Sequence, residues 1–85
     1  MPKPKPVLYS TSACHLCELA EGLLEAARAA APALGWEVVD ISDDDALFAR
    51  YGERIPVLRF PSGEELGWPF TADELHRALR REGLA

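Results

Sequence analysis

The chain has 85 residues and a formal net charge of −5, with 14 acidic residues against 9 Lys and Arg. That length holds one small domain and not two, and 48% hydrophobic with 27% charged residues marks a globular chain rather than a disordered one. The basic residues are scattered, so there is no phosphate-binding stripe and nucleic acid is excluded as an expected partner.

The N-terminal "MPKPKP" reads as a flexible Pro/Lys tail over residues 1–6, ahead of a single domain over 7–85. No apolar core of about 7–15 residues follows it, as a secretory signal would require, and no run approaches the roughly 18 residues of a membrane span. The expected location is the cytoplasm, with no membrane partner.

Val7–Ser10, "VLYS", is a short apolar run of β-formers and reads as a buried strand. From Cys14 the period becomes helical. Leu16, Ala20, Leu23, Leu24, Ala27 and Ala31 fall on one face, with Glu18, Glu21, Glu25 and Arg28 on the other. Thr11 or Ser12 is the expected cap, and Pro32 with Gly35 marks the end. "WEVVDI", Trp36–Ile41, is the second strand, with Glu37 and Asp40 marking it as an edge. "SDDDALFARYG" makes a short helix with Ser42 as expected N-cap; Asp43 to Asp45 suit its positive end without any bound cation. "VLRF" (57–60), the turn "PSGEE" and a strand near Glu65–Trp68 form a hairpin. The last helix opens at Thr71 with the capping-box pattern Thr71-x-x-Glu74, and Arg77, Arg80 and Arg81 complement its C-terminal dipole. The order β-α-β-α-β-β-α predicts an α/β fold: a four-stranded mixed sheet with helices on both faces, whose first crossover is parallel and right-handed.

The chemistry lies in "TSACHLCELA", Thr11–Ala20, which holds the chain's two cysteines. Residues three apart on a helix share a face, so Cys14 and Cys17 can close a disulfide with little backbone movement. Cys14 sits where unpaired N–H groups and the positive dipole end favour a thiolate, and Cys17, one turn further in, is the more sheltered. Dithiol exchange needs such a pair: an accessible attacker and a protected second thiol that resolves the mixed disulfide. A closed zinc site needs four ligands. Beyond the cysteines only His15 and His76 are available, on different helices, so no metal site within one chain is expected; a metal or iron–sulfur cluster shared by two chains stays open.

A strand, then Cys-x-x-Cys opening a helix, then Ile55-Pro56 before the third strand resembles the glutaredoxins of the thioredoxin superfamily. "YSTSACHLC" matches their Tyr-Ser-x-x-x-Cys-x-x-Cys, and "YGERIPVLRF" the stretch where they carry a cis-proline; Pro56 lies 39 residues after Cys17. The likeness spans nearly the whole chain beyond the tail and is nearest to short bacterial glutaredoxin-like proteins. It implies a three-layer thioredoxin-like sandwich in which Cys14 is the nucleophile and Cys17 the resolving thiol. It also implies a cis Pro56 beside the pair, with the backbone N–H and C=O of Ile55 holding an extended substrate strand.

The resemblance has departures. Ser10–Ala13 lack the basic residue that glutathione-using members carry, and "GWPFTADEL" holds one glycine where they have a Gly-Gly pair. Arg54 and Asp73 are the candidates for glutathione's carboxylate and amine. Trp68-Pro69-Phe70 is nearer to the aromatic loop of glutaredoxin-like hydrogen donors reduced by thioredoxin reductase, and Trp68 and Phe70 either face substrate or pack the last helix. His15 either tunes the Cys14 thiolate or is a solvated helix residue; His76 is expected at the surface or part-buried on the last helix. The reading is a monomeric thiol–disulfide oxidoreductase acting on protein disulfides. It needs no bound cofactor, and glutathione or thioredoxin reductase supplies electrons. The alternative is a non-catalytic binding module or metal carrier on the same fold.

Overall fold

A computed structural model describes residues 5–85, so the first four positions of the expected Pro/Lys tail lie outside the described residues. The elements are β1 (Val7–Ser10), α1 (His15–Ala30), β2 (Glu37–Asp40), a 3₁₀ turn (Ile41–Asp43), α2 (Asp45–Tyr51), β3 (Val57–Arg59), β4 (Glu65–Gly67) and α3 (Ala72–Arg81). The sheet order is β2-β1-β3-β4. β1 pairs parallel with β2 and antiparallel with β3, and β3 and β4 form the hairpin. This is the expected thioredoxin-like α/β fold, with β2 at the edge and β1 inside.

Strand alternation builds the two cores. Leu8 and Leu58 face α1 and α3, packing with Ala20, Leu24, Phe60, Phe70, Leu75, Ala78 and Leu79. Their neighbours Tyr9 and Val57 face the other way, onto Ile41 and Tyr51 below α2. The hairpin turns where Gly63 adopts φ 95°, which a side chain would resist. α3 begins as expected: the Thr71 hydroxyl accepts from the Glu74 N–H at 3.1 Å, and the Glu74 carboxylate accepts from the Thr71 N–H at 3.2 Å.

Three local expectations change. Pro6 is buried and its carbonyl accepts the Glu37 N–H at 2.9 Å, so it belongs to the packed domain rather than the tail. Ser42 does not cap α2. It lies in the 3₁₀ turn, bonded to the Asp40 carboxylate, while Asp44 accepts the Leu47 N–H at 3.0 Å and caps the helix. Several acids in a row gave more than one competent cap, and the 3₁₀ turn shifted the choice by two residues. Leu16 is 45% exposed and Cys17 takes the buried place on α1, because the sheet-facing stripe is centred nearer Cys17 and Leu24.

Candidate active site

The site forms where three chain segments meet at one end of the sheet. β1 runs out through Ser10 toward Cys14. β3 enters antiparallel to it with Tyr9 opposite Val57, so Pro56 reaches the same end as Ser10. Asp40, opposite Ser10 in the parallel ladder, closes the other side.

Between β1 and α1 the chain reverses through Ala13, which takes φ 57°, a left-handed conformation that side chains disfavour. This turn sets up the cap. Neither Thr11 nor Ser12 caps α1; Cys14 does so itself, its Sγ accepting the Cys17 N–H at 3.2 Å and its carbonyl accepting the Glu18 N–H at 3.1 Å. A first-turn amide thus points at the very sulfur expected to carry negative charge, and a thiolate would strengthen that bond. Cys14 and Cys17 are joined as a disulfide, with Cα atoms 5.2 Å apart, inside the range such bonds adopt. Cys14 is half-buried, whereas Cys17 is 2% exposed.

The Ile55-Pro56 bond is cis and Pro56 is buried. The Trp68 N–H donates to the Pro56 carbonyl at 3.1 Å, extending the β3–β4 ladder by one pair. Ile55 departs from expectation in one respect: its N–H is already donated to the Tyr51 carbonyl at 3.0 Å. Only its C=O has no hydrogen-bond partner among the described residues. The Trp68-Pro69 bond is also cis, a second such bond beyond the one expected at Pro56. Phe70 is buried in the core below α3, and Trp68 packs partly against that core, its ring edge-on to Phe70 at 5.2 Å. Of the two roles open to these aromatics, the structure shows packing.

The remaining candidates are dispersed. His15 is exposed, with Nδ1 3.6 Å from the Glu18 carboxylate. Asp73 is exposed on the first turn of α3, along a groove shared with Leu23 and Ala27 of α1; Leu23 is more than two helical turns past Cys14. Arg54 turns to Glu65, its guanidinium 3.2 Å from the carboxylate. His76 is exposed on α3, the surface placement of the two that were open to it. Among the described residues no group of three or more His, Cys, Asp or Glu is placed to hold a metal ion.

Two features beside the site had no local signal. Leu16 and Leu19, 45% and 44% exposed, form an apolar surface beginning two residues from Cys14. On the α2 face, Tyr51 is buried and stacked on Tyr9 with ring centroids 4.3 Å apart, and its hydroxyl donates to Glu65. Glu65 also takes Arg54 and, at 4.0 Å, Arg50. Burial, then the neighbouring carboxylate, pushes the Tyr51 hydroxyl above its ordinary pKa. The Tyr51 hydroxyl first, then Arg54, holds the Glu65 carboxyl below the usual range. Such a cluster joins three elements distant in sequence, so no spacing rule could have found it.

Residues 5–80 match the family described as Glutaredoxin-like domain (DUF836). The X-ray structure of target protein XcR50 from X. campestris is 45% identical, with a TM-score of 0.81 over 89% of this chain and 96% of that one. The solution structure of protein Ne2328 from Nitrosomonas europaea is 27% identical, with a TM-score of 0.74 over 92% of this chain and 94% of that one. Thioredoxin O2 from Arabidopsis thaliana in the oxidized state, at 20% identity and a TM-score of 0.64 over 92% of this chain and 73% of that one, shares the fold. No curated protein matches the chain.

Proposed function

Because this chain belongs to the glutaredoxin-like domain family, we propose that it is a thiol–disulfide oxidoreductase in which Cys14 attacks and Cys17 resolves. The observation that carries the reading is the bonded cysteine pair at the start of α1, Cys14 half-buried with its sulfur accepting an amide, Cys17 2% exposed. Family membership alone would leave the chemistry open.

In the reduced protein the first-turn amides and the helix dipole favour a thiolate at Cys14. That thiolate attacks one sulfur of a substrate disulfide. The S–S bond breaks, the first substrate thiolate leaves, and a mixed disulfide forms at Cys14. Cys17, a turn away and already at bonding distance, gives up its proton and attacks the Cys14 sulfur, releasing the second substrate thiol. Two electrons pass to the substrate and the Cys14–Cys17 disulfide remains, to be reduced by glutathione or thioredoxin reductase.

The substrate class we infer is a protein disulfide. Leu16 and Leu19 are exposed apolar residues in the first turns of α1, the helix that Cys14 caps, and they suit a polypeptide that would cover them better than a charged tripeptide. Arg54, the candidate for a glutathione carboxylate, is engaged by Glu65. The free Ile55 carbonyl and the buried Pro56 suit an extended client strand whose N–H groups donate to it.

The test is turnover of a protein disulfide with glutathione, and separately with NADPH and thioredoxin reductase, as the electron source. Turnover with at least one donor, lost in Cys14→Ser, is expected. Wild-type protein that starts fully reduced and oxidises no faster in the presence of the client would overturn the proposal.

A further inference from the structure

We propose that Glu65 and Tyr51 are positioning residues for the Ile55-Pro56 segment: they set how well the protein takes an extended disulfide-bearing chain, while touching neither that chain nor the two sulfurs. The proposal rests on the thiol–disulfide reading above and names the part of the molecule that would give it preference for polypeptide clients.

Residues 52–56 link α2 to β3 with no regular structure of their own, so their placement depends on what ties them down. Tyr51, the last residue of α2, does most of the tying. Its carbonyl accepts the N–H groups of both Arg54, at 2.8 Å, and Ile55, at 3.0 Å. The Ile55 side chain packs against the cluster formed by Tyr9, Ile41, Tyr51 and Val57. Tyr51 is in turn fixed by its ring stack on Tyr9 and by its hydroxyl on Glu65. Arg54 reaches the same carboxylate from the far end of the turn and lies over the Tyr51 ring at 5.4 Å. Both ends of the turn are therefore fastened to one side chain of β4. Beyond it, the Pro56 carbonyl is fastened to the Trp68 N–H, just past the end of β4.

What this arrangement leaves free is the Ile55 carbonyl, at the sheet end where β1 leads to Cys14. A client strand that donates to it is aligned for attack only as well as the carbonyl itself is held. A polar network suits this task better than it suits stability. The Glu65 side chain is 18% exposed, and removing a carboxylate from water offsets much of what its partners return. Hydrogen bonds with fixed directions do what apolar packing of equal volume does not: they set the orientation of the turn.

Two variants test this. Tyr51→Phe keeps the buried ring and its stack but removes the hydroxyl; Glu65→Gln keeps an acceptor for that hydroxyl but loses the charge that holds Arg54. The first readout needs no activity. Amide hydrogen exchange at Ile55 and Arg54 should quicken about tenfold in Tyr51→Phe, as expected for one lost hydrogen bond, while the amides of Leu8 and Leu24 hold their rates. The second compares kcat/KM for a protein disulfide with that for hydroxyethyl disulfide, which is too small to span the clamp. The protein substrate should lose about tenfold and the small one less than twofold, with Glu65→Gln intermediate. Unchanged exchange at Ile55 overturns the tether. An equal loss on both substrates overturns the positioning role in favour of a general structural one. A wild type that reduces neither substrate removes the thiol–disulfide reading itself, and the substrate role with it.

Discussion

Ala13 offers the sharpest test of how the loop before α1 is built. It is the one non-glycine residue with positive φ among those described, at 57°, and its side chain is exposed. A left-handed conformation costs an ordinary L-residue about 1–2 kcal/mol, and glycine escapes that cost. Glycine in turn brings about 0.5–1 kcal/mol of extra backbone freedom in the unfolded chain. The difference, about 0–1.5 kcal/mol and centred at ~0.75 kcal/mol, predicts that Ala13→Gly stabilises, by roughly 4 °C in Tm at the centre of that range for a domain of this size. Ala13→Val should do the reverse, losing about 1 kcal/mol or more, since a β-branched residue is a genuine outlier there. Urea unfolding of the three proteins measures both, with equal slopes required for the comparison. A functional readout accompanies it. In the reduced protein, alkylation of Cys14 should be unchanged by Gly and slowed by Val, because the turn at residue 13 aims the Cys14 sulfur at the Cys17 amide. If Gly is neutral or destabilising and Val harmless, residue 13 is not held left-handed, and the account of how Cys14 becomes its own helix cap fails.

Three further outcomes follow from the packing and the charges. Thr71→Ala removes one half of a reciprocal cap on α3 and should cost about 1 kcal/mol in urea unfolding, with Thr71→Ser close to wild type. Leu24→Ala empties a side chain with no exposed surface, and a loss of about 2–5 kcal/mol is expected. The third concerns pH. Glu65 is held below its ordinary value of 4.5, so its contribution is complete above that pH and fades as pH falls through the lower folded value. Tyr51 is raised above 10.0, so its contribution is complete below that pH and fades as pH climbs through the higher one. The stability gap between wild type and Glu65→Gln, measured by urea midpoint, should therefore be constant near neutrality and shrink in acid; a gap that widens as pH falls would contradict the assigned sign.

The features that proved legible were those written in local spacing. The buried strand at Val7–Ser10 and the Thr71–Glu74 pair each stand for a geometry that near neighbours enforce, whereas a cis Pro56 at the end of the sheet near Cys14 was legible only through the resemblance to glutaredoxins. Caps were harder, because acids and hydroxyls in succession compete: Asp44 won over Ser42, and the Cys14 sulfur over Thr11 and Ser12. Leu16 shows the limit of a periodic stripe, which tolerates a rotation of the helix that exchanges Leu16 for Cys17 at its edge. The Tyr51–Glu65–Arg54 cluster was beyond sequence reading altogether. Glu65 reads as a polar residue in a hairpin until α2 is laid across the sheet and Tyr51 arrives beside it.

The central claim is that Cys14 attacks and Cys17 resolves, and trapping tests it most directly. Cys17→Ser and Cys14→Ser proteins, each reduced and then mixed with the same disulfide-bonded client, are weighed intact by mass spectrometry. The account predicts a client adduct on Cys17→Ser, released by dithiothreitol, and little on Cys14→Ser, whose remaining sulfur is shielded from solvent. Equal adducts, or an adduct on Cys14→Ser alone, would contradict it.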